Sequence, residues 1–200
     1  RGLGDVYKRQ VWDMGKEECG EYLNQASTGV PEDFAGKLLE VPVGTGILTM
    51  PLYQTLPRAD ITCLDYSPDM MGQAREKAER MGLQNVQFRQ GDVGALPYED
   101  SSFDIVLSLN GFHAFPDKEA AYRETFRVLK PGGTFCGCFY VADEHKRTDW
   151  FVRHVYEKIG FFTPPYETVD SLRKRLQSMY AQVDVGSLKS IAWFICRKAD

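Results

Sequence analysis

Long apolar runs are what this sequence most clearly lacks. No window approaches the roughly 18 uninterrupted apolar residues that a membrane-spanning helix requires, so no membrane insertion is expected. The chain opens without the charged, apolar, small-residue order of a secretory signal, and the expected location is cytoplasmic. It also lacks a basic excess: 24 Lys and Arg stand against 28 Asp and Glu, a formal net charge of −4. That balance argues against nucleic acid or an anionic membrane as the dominant partner. Histidine is scarce, at three residues, and the five cysteines form an odd set, most of them in apolar, strand-like runs. Cys19, Cys63, Cys136, Cys138 and Cys196 therefore read as reduced core residues. No CxxC-type pairs converge, so no metal site is expected.

What is present suits one globular domain: 200 residues, 43% hydrophobic and 26% charged. Residues 1–10, RGLGDVYKRQ, carry no clear period and read as a non-native or disordered lead-in, leaving 11–200 as a single domain. A weak helical pattern covers 11–24. Strand and helix signals then alternate. Lys37 to Val41 reads as a strand, Gly46 to Thr55 as a short helix and Asp60 to Asp65 as a second strand. The following helix has Ser67 as N-cap, Pro68 at its first position, and Met70, Ala74, Ala78 and Met81 at helical spacing before Gly82. NVQFRQ alternates as a third strand, SSFDIVLSLNG is a continuous apolar fourth, and GGTFCGCFYV is a fifth after a helix from Asp117 to Leu129. Lys130 to Gly133 reads as a turn. Helical material at 144–159 and 169–180 precedes two strands expected to join at Gly186 and Ser187. Such alternation implies an α/β fold with a parallel sheet covered on both faces.

The stretch LLEVPVGTG, Leu38 to Gly46, runs a strand straight into a glycine loop. In open parallel sheets a ligand sits beyond the carboxyl ends of the strands, where the strand order reverses. Gly44 and Gly46 let a backbone approach a ligand closely. Asp65 ends the second strand about 20 residues on, where an acid can accept from ribose hydroxyls, and Asp92 follows the third strand. Three loops at one edge suggest a nucleoside site. A dinucleotide site would want a third glycine where Thr49 stands, and a phosphate-cradling loop would end in GKS or GKT, which this one does not. Glu40, at the end of the first strand, suits a ligand with a positive charge better than a pyrophosphate.

With LLEVPVGTG, ITCLDYSPDMMGQA, GDVGALPYEDSSFDIV and LKPGG, the sequence resembles the class I S-adenosylmethionine-dependent methyltransferases. Within them it is similar to the ubiquinone/menaquinone C-methyltransferase-like small-molecule group. The resemblance runs from about Leu38 to Val141 and implies a Rossmann-like seven-stranded sheet of order 3-2-1-4-5-7-6, strand 7 antiparallel. It implies an enzyme (EC 2.1.1.-) with S-adenosyl-L-methionine as cofactor and S-adenosyl-L-homocysteine as product. By the same resemblance, Glu40, Gly44 and Gly46 form the loop around the methionine moiety, Asp65 binds both ribose hydroxyls, and Tyr66 lies against the adenine. Asp92 accepts from the adenine amino group, Val93 borders the ring, and Asn110 presents its backbone near the methionine amine. Pro42 stands where the family has its first glycine, which removes one N–H from the loop.

The expected reaction is methyl transfer by in-line displacement to a small, apolar or aromatic acceptor, with the N-terminal helix and segment 143–180 covering the acceptor site. His113, in NGFHAF, is the one histidine near the expected cofactor edge and the candidate catalytic base, against a reading as a packed residue. Phe112, Phe115, Tyr140, Trp150, Phe151 and Tyr156 are either acceptor-pocket walls or ordinary core. His145 and His154 read as surface residues, and the basic run in SLRKRLQ as a solvated helix face. A cofactor-binding protein without turnover and a nicotinamide-dependent oxidoreductase remain as alternatives. The acceptor atom and the oligomeric state are left open by the sequence.

Overall fold

The computed structural model describes residues 16–200. The expected lead-in at 1–10, and residues 11–15 of the expected first helix, lie outside the described residues. Helix α1 runs Lys16–Ser27, and is followed by β1 (Lys37–Glu40), α2 (Met50–Gln54), β2 (Asp60–Asp65) and α3 (Pro68–Arg80). Then come β3 (Val86–Gln90), a 3₁₀ turn (Val93–Ala95), β4 (Phe103–Leu109), α4 (Lys118–Val128) and β5 (Leu129–Tyr140). Helix α5 (Lys146–Phe151) continues into a π-helical turn (Val152–Tyr156), and α6 (Val169–Met179), β6 (Gln182–Leu188) and β7 (Ile191–Arg197) complete the chain.

The seven strands lie in the order β3-β2-β1-β4-β5-β7-β6. Strands β1 to β5 pair in parallel, and β7 runs antiparallel to both β5 and β6. This is the expected order. The central strands alternate their side chains between two apolar layers. Leu38, Ile105, Leu107, Cys136 and Cys138 pack on the side of α1, α2 and α3, with Tyr22, Met50, Tyr53 and Ala74. Leu39, Val106, Phe135 and Phe139 pack on the side of α4 and α6, with Tyr122, Leu172 and Leu176. Burial on both faces is why β4 reads as a continuous apolar run. Cys63, Cys136, Cys138 and Cys196 are buried free thiols, as expected.

Local signals set most of the element ends. Ser67 caps α3 by accepting from the Met70 N–H, and Gly82 closes the helix with a φ of +69°. Three expectations need correction. Helix α2 begins at Met50, not Gly46, because Gly46 has a φ of +65° that no right-handed helix admits. Lys130 to Gly133 is no free turn: β5 begins at Leu129 and absorbs it, with Gly132 at φ +67° and a register shift against β4. The last hairpin turns at Lys189 and Ser190, not at Gly186 and Ser187. Lys189 takes the positive φ (52°), while Gly186 sits in register with Trp193, whose indole fills the place of a side chain. A Cβ on Gly186 would meet that ring at 2.4 Å.

Gly137 marks the tightest approach in the sheet, since a Cβ there would stand 2.0 Å from the carbonyl oxygen of Ser108 on the neighbouring strand. Gly137→Ala is expected to destabilise the fold by on the order of 3 kcal/mol, the scale of severe overpacking. Gly72→Ala, inside α3 with nothing within 4 Å of the added carbon, is expected to stabilise by about 0.5–1 kcal/mol. Urea unfolding midpoints of the two variants check both signs.

Candidate active site

The direction of the chain's progress through the sheet reverses between β1 and β4, which lie side by side. Their carboxyl ends, with those of β2 and β3, form one edge, and the residues expected there all fall on it. Glu40 ends β1, Asp65 ends β2, Asp92 follows β3 and Asn110 follows β4. Asn110 has a φ of +57° and donates its N–H to the Cys138 carbonyl at 2.7 Å, which anchors the turn to β5.

The loop after β1 is held at several backbone groups. The Val43 N–H donates to the Leu64 carbonyl (3.0 Å), and the Gly46 N–H donates to the Val43 carbonyl (3.0 Å). The Gly44 N–H donates to Asp65 Oδ2 at 2.7 Å, and Asp65 Oδ1 accepts from the Ser67 N–H at 2.9 Å. Asp65 thus ties the loop to the start of α3. Lys77 Nζ, two turns further along that helix, donates to the Thr45 carbonyl at 3.1 Å. Gly44 (φ +56°) has open space beside its α-carbon, whereas Gly46 is packed against Met50 and Ala74. Tyr66 is 77% exposed, Asp92 is exposed with Oδ1 accepting from the Gly94 N–H at 2.8 Å, and Val93 is buried.

Glu40 points down, under the loop. Its Oε2 accepts from the Tyr53 hydroxyl (2.7 Å) and the Cys63 thiol (3.4 Å), and complete burial raises its carboxyl to about 8. At neutral pH it holds a proton. Nothing in the sequence announced Tyr53 as its partner, since the pairing is made by α2 packing across β1.

His113 lies apart from this row. Its ring stacks on Phe162 at 4.0 Å, its carbonyl accepts from the Thr163 N–H, and Nδ1 takes a long hydrogen bond (3.4 Å) from the Tyr140 N–H. Burial, with the Lys118 charge adding to it, lowers the imidazole to about 3. Since Nδ1 accepts, the proton of the neutral ring sits on Nε2. Lys118 bridges the Phe115 and Thr163 carbonyls, stitching the loop after β4 to the segment after α5. Close by, the Tyr140 hydroxyl donates to Asp149 Oδ1 at 2.6 Å, and Asp149 Oδ2 accepts from the Asp143 N–H. Sequence reasoning missed this pair. Of the aromatic candidates, Phe112 and Phe115 are core on the α4 side, and Tyr140 and Tyr156 join a cluster with Phe162. Trp150 is 54% exposed, stacked on His154. Among the described residues no group of acids, cysteines and histidines is arranged to hold a metal, and no helix is long and apolar enough to cross a membrane.

Residues 38–133 match the family model of a methyltransferase domain. Over 97 residues the chain is 42% identical to a demethylmenaquinone methyltransferase of Thermus thermophilus, covering 48% of this chain and 44% of that protein. It is 36% identical over 129 residues to a phosphatidylethanolamine N-methyltransferase of Cereibacter sphaeroides, covering 64% and 62%. The chain thus spans about half the length of these curated relatives. In fold it is similar to phosphoethanolamine N-methyltransferase 2 of Haemonchus contortus, solved with phosphomonomethylethanolamine and S-adenosylhomocysteine (TM-score 0.75, 14% identity, 90% of this chain and 53% of that one). In strand order and in the domain match, the chain is similar to the class I S-adenosylmethionine-dependent methyltransferases. Demethylmenaquinone methyltransferases recur among the relatives it is similar to.

Two buried groups give stability a defined pH dependence. Folded Glu40 keeps a proton that the unfolded chain releases, so its contribution falls as pH rises from about 4.5 to about 8. His113 acts oppositely, because the folded ring refuses a proton that the unfolded one accepts, and stability is lost as pH falls from about 6.5 towards 3. Above pH 6.5 only the Glu40 slope of these two remains. Thermal melting of Glu40→Gln between pH 6.5 and 8.5 is expected to be flatter than that of the wild type. A wild-type profile already flat there would mean that Glu40 is ionised.

Proposed function

We propose that this chain transfers a methyl group from S-adenosyl-L-methionine to a small acceptor with an apolar or aromatic body, releasing S-adenosyl-L-homocysteine. The observation that carries the reading is the edge where four strand ends meet at the β1/β4 reversal, with Asp65 at its centre. Its two oxygens accept one N–H each, and a carboxylate offers about four lone-pair positions, so acceptor capacity remains for ribose hydroxyls. The open face of Gly44 fits close backbone approach, and the exposed Tyr66 ring fits stacking on a base.

In this reading Gly44 and Gly46 shape the loop around the methionine moiety, with protonated Glu40 bracing it from below. Tyr66 lies along the adenine, Asp92 accepts from its amino group with Val93 beside the ring, and the Asn110 backbone faces the methionine amine. When bound, S-adenosylmethionine supplies a methyl group already activated on a sulfonium. The chain's part is to hold the acceptor in line with that methyl and to exclude water. In this reading His113 packs apart from the strand-end row and is not a base: its ring stacks on Phe162, its Nδ1 accepts from the Tyr140 N–H and its Nε2 carries the proton. The names of the two relatives, one acting on demethylmenaquinone and one on phosphatidylethanolamine, support an acceptor with an apolar body. They differ in the acceptor group. A nicotinamide dinucleotide is disfavoured by Thr49, a fully buried side chain where the third glycine would stand.

Calorimetric titration tests this directly. Micromolar binding of S-adenosylmethionine and S-adenosylhomocysteine, and none of NADH, is expected. Asp65→Ala is expected to weaken the cofactor by on the order of 1–3 kcal/mol, the scale of lost hydrogen bonds to a charged group. Unchanged affinity in Asp65→Ala would move the site elsewhere.

A further inference from the structure

The glycine loop does not hold itself. Of its backbone groups, those of Val43 and Gly46 are satisfied within the sheet and the loop, and Gly44 by Asp65. Pro42 offers no N–H at all. The Thr45 carbonyl is met from outside by one side chain, Lys77, 32 residues further on. Ala74 and Lys77 are three apart on α3 and so share a face. Ala74 lies under Gly46, 3.1 Å from where a Cβ would stand, and Lys77 reaches over to the adjoining carbonyl. One helix face thus fixes the Thr45–Gly46 peptide from two sides. Lys77 is half-buried, whereas Arg75, Glu76, Glu79 and Arg80 around it are exposed.

We propose that Lys77 is a positioning residue for the cofactor loop, acting through the Thr45 carbonyl. The inference rests on the reading of this loop as the S-adenosylmethionine site. An ammonium donor to a carbonyl makes a charge-assisted bond, stronger than a neutral one. By orienting the Thr45–Gly46 peptide it keeps Gly44 and Gly46 at their positive φ values before a ligand arrives, which lowers the ordering cost of binding. Its loss therefore weakens binding while leaving the reacting geometry of the bound state intact.

The test uses the full chain with S-adenosylhomocysteine as probe and three variants. Lys77→Met keeps the stem and removes the donor, Lys77→Arg restores a donor, and Arg80→Met removes an exposed cation from the same helix. Lys77→Met is expected to raise the dissociation constant about tenfold, with faster amide hydrogen exchange over 43–46. Lys77→Arg should recover most of the affinity, and Arg80→Met should match the wild type. Once an acceptor is in hand, the loss should fall on KM for S-adenosylmethionine and not on kcat. Wild-type affinity and exchange in Lys77→Met would overturn the inference, and so would an equal loss in Arg80→Met, which would reduce the effect to net charge. Failure of the wild type to bind either S-adenosyl compound would instead sink the cofactor reading itself.

Discussion

A loop rich in glycine has no side chains with which to fix its own shape, so its backbone amides must find partners elsewhere or the loop stays an ensemble. Here the decisive partner is the Asp65 carboxylate, which accepts from Gly44 on one side and Ser67 on the other. That single group joins the end of β1 to the beginning of α3 across the end of β2. Beside this junction Gly44 keeps an open face and Tyr66 stays exposed. Charge-assisted bonds from N–H groups to an ionised carboxylate are among the stronger hydrogen bonds a fold can make.

Below and beside the loop, burial acts on two titratable groups in opposite senses. Desolvation disfavours the charged form of each: it leaves Glu40 protonated, with Tyr53 and Cys63 donating to it, and leaves His113 unprotonated against Phe162. Both sites are therefore neutral near pH 7. The carboxylates of Asp65 and Asp92 stay at the loop ends, where backbone amides meet them.

The half of the site beyond β4 and β5 is built differently. It is held by Lys118, which joins the nearby Phe115 carbonyl to that of Thr163, 45 residues on, and by Tyr140 to Asp149. The family match ends at residue 133, before most of these contacts begin. In the proposed reading, acceptor recognition varies in this region while the cofactor half stays fixed.

The sheet order came with the family resemblance; the sequence by itself determined the strand–helix alternation, the start of α3 and the row of residues at the strand ends. These depend on local chemistry: apolar runs, an N-cap at Ser67, glycines at a sharp turn, acids closing strands. It determined much less where partners lie far apart along the chain. Gly186 read as a turn because a glycine beside a serine usually is one, yet the tertiary structure uses it to seat Trp193. His113 read as a candidate base because its neighbours were unknown, and the fold surrounds it with Phe162, Tyr140 and Lys118. Glu40 has its carboxyl raised by burial among elements distant in sequence, against the opposing pull of the Tyr53 hydrogen bond. Whether a polar side chain is charged, free or committed depends on what desolvates it, and that is set by packing between elements, which no local pattern encodes.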